Sequence, residues 1–185
     1  MSLLAVQGGA TGTGTVTLLA PITNTDRTLT LPDATGTVLT TATAGVPVNG
    51  PAFSAYASTN QTVSDGTATK ILFDTEEFDT NSNFSSSRFT PTIAGYYQVN
   101  STVNCSQTAI VDFVIWIYKN NTQYKRGFGF AGTASKFIAP VSTLVYLNGS
   151  TDYVEVFLYS DGTGNATINA SSQDVWFNGC LVRSA

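Results

Sequence analysis

YYQVNSTVNC, residues 96–105, decides the fold class. Tyr97, Val99, Ser101, Val103 and Cys105 fall on one face of this stretch, and Tyr96, Gln98, Asn100, Thr102 and Asn104 on the other. A period of two belongs to a β-strand, and the more apolar first face is the one expected in a core. Working outward, residues 111–119 (VDFVIWIYK) are apolar on both faces, with Phe113, Ile115 and Ile117 against Val114, Trp116 and Tyr118. In residues 152–159, Val154, Val156 and Leu158 oppose Tyr153, Glu155, Phe157 and Tyr159. In residues 174–183, Val175, Phe177, Gly179 and Leu181 oppose Trp176, Asn178, Cys180 and Val182. Further runs lie at 70–73 and 137–147, and turn clusters at 60–66, 81–87, 120–122, 148–150 and 161–165 separate the runs. No stretch after residue 50 has helical periodicity. Roughly eight to ten strands between such turns predict an all-β sandwich or jelly roll.

Composition agrees. The chain has 185 residues, enough for one good-sized domain and a small accessory segment. It is 42% apolar but only 11% charged, well under the roughly 25% charged of an average soluble domain. Its polar surface must come from Thr, Ser and Asn, which suit strands and turns better than long exposed helices. The net charge of −4, with basic residues scattered apart from Lys125 and Arg126, argues against nucleic-acid binding. No apolar run reaches the roughly 20 residues that cross a bilayer as a helix, so no membrane insertion is expected. The opening MSLLAVQGGATG lacks a basic n-region, and folding in a cytoplasm is expected.

Several chemistries are excluded by residue type. There is no histidine, which rules out Ser-His-Asp and Cys-His catalysis and histidine-held zinc. Two cysteines, Cys105 and Cys180, are too few for an all-cysteine zinc site. Alternation sends them to opposite faces, so no intrachain disulfide is expected. Gly127-Phe-Gly129 is no phosphate loop and reads as a twisted strand. The acidic cluster Asp74, Glu76, Glu77 and Asp79 in FDTEEFD reads as a solvated loop after a strand. Its alternatives are a calcium ion held by oxygen ligands and a glycosidase pair, and no other cofactor is expected.

The first fifty residues have a different texture. Short apolar alternations such as Val16/Leu18 and Leu29/Leu31 sit among Gly, Thr and Ala, and Pro21 and Pro32 punctuate them. Strands this short do not bury a core alone and need other copies or another protein to pack on. The boundaries expected are an anchoring and trimerising β segment over 1–41, a linker over 42–50 containing Gly45, Pro47 and Gly50, and a head over 51–185.

Residues 52–183 resemble a C1q-like domain, the jelly roll shared with the tumour necrosis factor superfamily. The pieces occur in the family's order: AFSA at Ala52, ILFD at Ile71, FTP at Phe89, AGYY at Ala94, IYKN at Ile117, LNGSTDYVEV at Leu147 and FNGCL at Phe177. The departures are a missing collagen arm, Asn121 where the family usually has Gly, and no family pattern at the acidic cluster. TVTLLAP and RTLTLPDATGTVLTT, between Thr15 and Thr41, are similar to segments of bacteriophage tail-fibre and virion-appendage proteins.

Together the resemblances imply a C1q/TNF-like jelly-roll head behind a short extended β anchor, in a homotrimer. They place residues 96–105 and 174–183 in the sheet facing a threefold axis, making Tyr96, Trp176, Cys180 and Val182 subunit contacts. They place residues 111–119 and 152–159 side by side in the outer sheet. Trp116, Tyr118, Tyr153, Phe157 and Tyr159 then form an outward aromatic patch, a surface type that stacks on sugars or anchors proteins. The alternative is that a neighbouring subunit or an internal loop covers that patch.

The function expected is a non-enzymatic bacteriophage virion protein, made in the host cytoplasm. It would be a short trimeric fibre or spike that joins other virion proteins through residues 1–45 and contacts host surface polysaccharide or protein with its head. A cellular C1q-like recognition module, a capsid decoration protein and a polysaccharide-degrading spike are the alternatives. Asn-X-Ser/Thr sites at Asn100, Asn148 and Asn165 suit secretion, but a chain rich in these residues produces them by chance.

Overall fold

The computed structural model describes residues 50–185. The anchoring segment expected over 1–41 and the linker over 42–50, Gly50 excepted, lie outside the described residues. Ten strands follow in chain order: β1 (Ala52–Tyr56), β2 (Gln61–Val63), β3 (Thr69–Lys70), β4 (Thr75–Asp79), β5 (Phe84–Ser85), β6 (Arg88–Phe89), β7 (Ala94–Lys119), β8 (Thr122–Asn148), β9 (Val154–Ile168) and β10 (Trp176–Ser184). There is no helix among the described residues. All pairings are antiparallel, in the order β4-β1-β10-β7-β9-β6-β5, with β2 and β3 also on β9 and β8 on β7.

The long strand β7 organises the sandwich. Its first part, from Gly95 to Thr102, pairs with β10, and its later part, from Cys105 to Lys119, pairs with β9. Strand β8 follows its other edge for most of its length. One strand therefore serves both layers, and it changes layer at a bulge between Ser106 and Ile110, where Ala109 has φ 48°. The polar side chain buried at this bulge is satisfied. Gln107 accepts from Ser160 Oγ and donates to Asp65 and the Gly164 carbonyl.

The face predicted from YYQVNSTVNC is the core face. Tyr97, Val99, Val103 and Cys105 are fully buried with Phe113, Ile115, Ile117, Val154, Val156, Leu158 and Phe177. Phe53 sits among three other phenylalanines, stacked on Phe84 at 4.9 Å and Phe89 at 4.4 Å, and edge-on to Phe177 at 4.8 Å. Gly179 makes room for it, since a Cβ there would lie 3.0 Å from the Phe53 ring and from the Gln98 carbonyl oxygen.

Three local expectations are corrected. FDTEEFD is not a loop: Thr75–Asp79 is β4, a strand hydrogen-bonded to β1 despite its carboxylates. One face of it is open to water, so charge there costs little. The turn read at 161–165 lies inside β9, where Asp161 and Thr163 pair with Asp112 and Thr108 across the bulge of β7. The run at 70–73 is a strand only at Thr69–Lys70; Ile71 and Phe73 enter the core from an irregular segment and Leu72 points to solvent. In the first two cases pairing with a distant strand overrode the local composition; in the third, the amides of Leu72 and Phe73 donate to the Gln61 and Ser87 side chains instead of to a strand.

Candidate functional site

The outer face of β7 and β9 carries the aromatic patch. Cross-strand register sets Trp116 opposite Phe157 and Val114 opposite Tyr159. Trp116 meets Tyr118 at 6.4 Å and Tyr159 at 6.2 Å, both edge-on, the offset geometry that ring quadrupoles favour. Trp116, Phe157 and Tyr159 are half-buried. Tyr118 differs from the expectation of an open ligand platform: it is buried on this outer face because Phe157 stacks on it at 3.9 Å and Gln123 donates to its hydroxyl. Burial, then the carboxylates of Asp161, Asp112 and Asp65, raise the Tyr159 pKa above its ordinary value.

Tyr153 belongs to a separate group. The Arg88 guanidinium lies 3.8 Å over its ring. Arg88 Nε donates to Glu155 Oε1 at 2.9 Å, and Lys70 Nζ donates to the same oxygen at 2.7 Å. Glu155 faces outward by strand alternation yet is buried, because these two cations and their neighbours cover it. Sequence reading missed this cluster. Lys70 and Glu155 are 85 positions apart and Arg88 is isolated, so no local pattern joins them.

On the other layer, β10, the first part of β7 and the later part of β8 present one outward face. Tyr96, Leu144, Tyr146 and Val182 gather at one end, where Tyr96 and Tyr146 are cross-strand partners with rings 5.5 Å apart. All four are exposed, Val182 the most at 54%. A hollow of about 570 Å³ lies between Tyr96, Leu144, Val182 and Arg183. A polar row crosses the middle: Ser142 donates to Asn100 Oδ1 at 2.7 Å and Asn100 donates to Asn178 Oδ1 at 3.1 Å. Beyond it are Ile138, exposed, and Trp176, half-buried with its indole donating to the Gln173 carbonyl. The contributions of Ile138, Leu144 and Tyr146 went unread, although the alternation of residues 137–147 carries them.

The acidic residues near β4 are engaged separately. Asp74 accepts from the Ser58 amide, Glu77 from Ser54 Oγ, and Asp79 from the amides of Asn81 and Phe84. Burial opposes ionisation of Asp74, but bonds from Ser58 and Thr59 outweigh it and lower its pKa. Among the described residues, no group of three or more acids or cysteines is placed to hold a metal ion. Cys105 is buried and Cys180 exposed, and both are free thiols. Burial pushes the Cys105 thiol up to about 11.

Two motifs of the family resemblance meet at Asp152. Its carboxylate takes a salt bridge from Lys119 at 2.9 Å, a bond from Asn120 Nδ2 at 2.7 Å and one from the Asn148 amide at 3.1 Å. Burial opposes the charge on Asp152; Asn120, Lys119 and the Asn148 amide outweigh it and lower its pKa. This clasp ties the β7–β8 turn to the β8–β9 connection.

No family model matches the sequence, and no curated protein matches it. Solved structures do. The globular domain of zebrafish complement 1qA aligns with a TM-score of 0.52 and 15% identity, over 73% of this chain and 99% of that one. Murine APRIL at pH 8.5 aligns with a TM-score of 0.56 and 10% identity, over 72% of this chain and all of that one. With the bent β7, the two layers and the core register above, these similarities establish that residues 50–185 fold as a C1q/TNF-like jelly roll.

Proposed function

We propose that this protein is a non-enzymatic structural and binding component of a bacteriophage virion, a short fibre or spike whose jelly-roll head assembles as a homotrimer and contacts the host surface. One observation carries the assembling head: the outward face of β10, β7 and β8 exposes Tyr96, Leu144, Tyr146 and Val182 together. Apolar side chains gathered on a strand face mark an interaction surface, and a second copy of the same surface is the simplest partner. Tyr96, Cys180, Val182 and Trp176 contribute to that interface from β7 and β10, with Leu144 and Tyr146 added from β8. The virion assignment is supported by the tail-fibre-like pattern between Thr15 and Thr41, which would join the head to other virion proteins. Trp116, Phe157 and Tyr159 point away from the assembling face, on the side a receptor would meet.

The deciding experiment is electron microscopy of intact particles with an antibody against the head. Labelled appendages support the reading. Particles that carry no label, with the protein confined to the host cell, overturn it and favour a cellular recognition module.

A further inference from the structure

We infer that the hollow beside Arg88 and Lys70 is a binding site for a carboxylate-bearing sugar. The hollow measures about 470 Å³, within the roughly 300–1,000 Å³ of small-molecule sites. Lys70 and Arg88 line it with Ser85, Ser86, Thr90 and Thr92, and among the described residues no acidic one lines it. Glu155, buried behind the two cations, offsets one of their charges and leaves the site net positive on a chain whose net charge is −4.

The arginine is pre-positioned for recognition. Its Nε is fixed on Glu155 Oε1 and its guanidinium carbon lies over the Tyr153 ring, which restrains the side chain. Its terminal nitrogens make no hydrogen bond to the described residues, and the side chain is 43% exposed. A guanidinium held by its Nε presents its remaining N–H groups as a fork that matches a carboxylate. Lys70 Nζ is similarly held, by Glu155 and by the Ser86 carbonyl at 2.8 Å, with one donor left over. Side chains already fixed lose little entropy when a ligand arrives. The Ser and Thr hydroxyls around the cations can both donate and accept, which suits the ring hydroxyls of a sugar better than a bare anion.

Trp116, Tyr118 and Phe157 do not line this hollow, although Lys70 pairs with Phe157 and Glu155 with Tyr118 across the ladder; the inference deepens the proposed reading by naming a ligand class. It rests on the head being a binding module but not on where the protein resides. Absence from particles would overturn the virion assignment and leave this inference standing.

The test titrates the full chain with D-glucuronate and, separately, with D-glucose, following side-chain and backbone NMR signals. The expected result is saturable binding of glucuronate at least tenfold tighter than glucose, with shifts at the Arg88 guanidinium and the amides of residues 85–88. Arg88→Gln keeps a donor for Glu155 and should lose that preference. If this variant fails to fold, the Arg88 signals of the unmodified protein decide the matter. Equal binding of glucose, no saturation by glucuronate, or shifts confined to other faces would each overturn the inference.

Discussion

Tyr118 and Phe157 stack with ring centroids 3.9 Å apart and planes 16° from parallel, yet they are diagonal neighbours: Tyr118 faces Glu155 across the ladder and Trp116 faces Phe157. Diagonal pairs lie within reach of aromatic side chains on one sheet face. The contact converts a patch of separate rings into a supported cluster, with Phe157 as the side chain that covers Tyr118.

Phe157→Ala should therefore destabilise the head by about 1–3 kcal/mol, less than a fully buried phenylalanine because Phe157 is only half-buried. Denaturant unfolding measures the loss, and tyrosine fluorescence quenching should report Tyr118 newly open to solvent. A change under a few tenths of a kcal/mol would show that the stack is incidental.

Tyr97 gives a pH dependence. Its ring is buried, its hydroxyl donates to the Ile93 carbonyl at 2.7 Å, and burial raises its pKa from 10.0 to about 12. In the unfolded chain it ionises near 10, so the unfolded state loses its proton first. Stability held by the neutral phenol is complete below pH 10 and is lost as pH rises through the folded value near 12. Tyr97→Phe should cost about 1 kcal/mol at pH 7, and its deficit against the unmodified protein should shrink between pH 10 and pH 12. A deficit that stays constant across that window would refute the linkage.

How much of this was legible follows from the range of each interaction. Alternation in 96–105 and 152–159 placed Tyr97, Val99, Val154 and Val156 in the core, because strand period is a local property. Whether charged Thr75–Asp79 forms a strand depends on a free edge of β1, which no local window contains. The Glu155 cluster was equally invisible, since its partners come from β3 and β6. The burial of Tyr118 likewise needed a diagonal register that composition does not encode.

The cysteines separate by face. Cys105 is buried with a thiol pushed up to about 11, while Cys180 is exposed opposite Gln98 on the outward face of β10. Denatured, unreduced protein should titrate two thiols per chain. In native protein at pH 8 Cys105 should stay unmodified, because thiolate is the reactive form, and any reaction should map to Cys180. Two rapidly reacting thiols in native protein would contradict the burial of Cys105, and none after denaturation would demand a disulfide.

The apolar face predicts its own disruption. Leu144 and Val182 are 49% and 54% exposed and line the same hollow with Tyr96. In a homotrimer each occurs three times around one axis, so a single substitution introduces three like charges into one desolvated region. Buried unpaired charge and like-charge repulsion both oppose association. Sedimentation velocity of the unmodified full chain should give a trimer. Leu144→Asp or Val182→Asp should weaken association at least tenfold without changing the circular dichroism of the head. Leu72→Asp is the control: it is 51% exposed but leaves the core-entering segment after β3, away from that hollow, and should assemble normally. The same two disrupting variants should expose Cys180 to faster alkylation if that thiol is covered between subunits. A monodisperse monomer of the unmodified chain, or a trimer indifferent to both aspartates, would place the interface elsewhere.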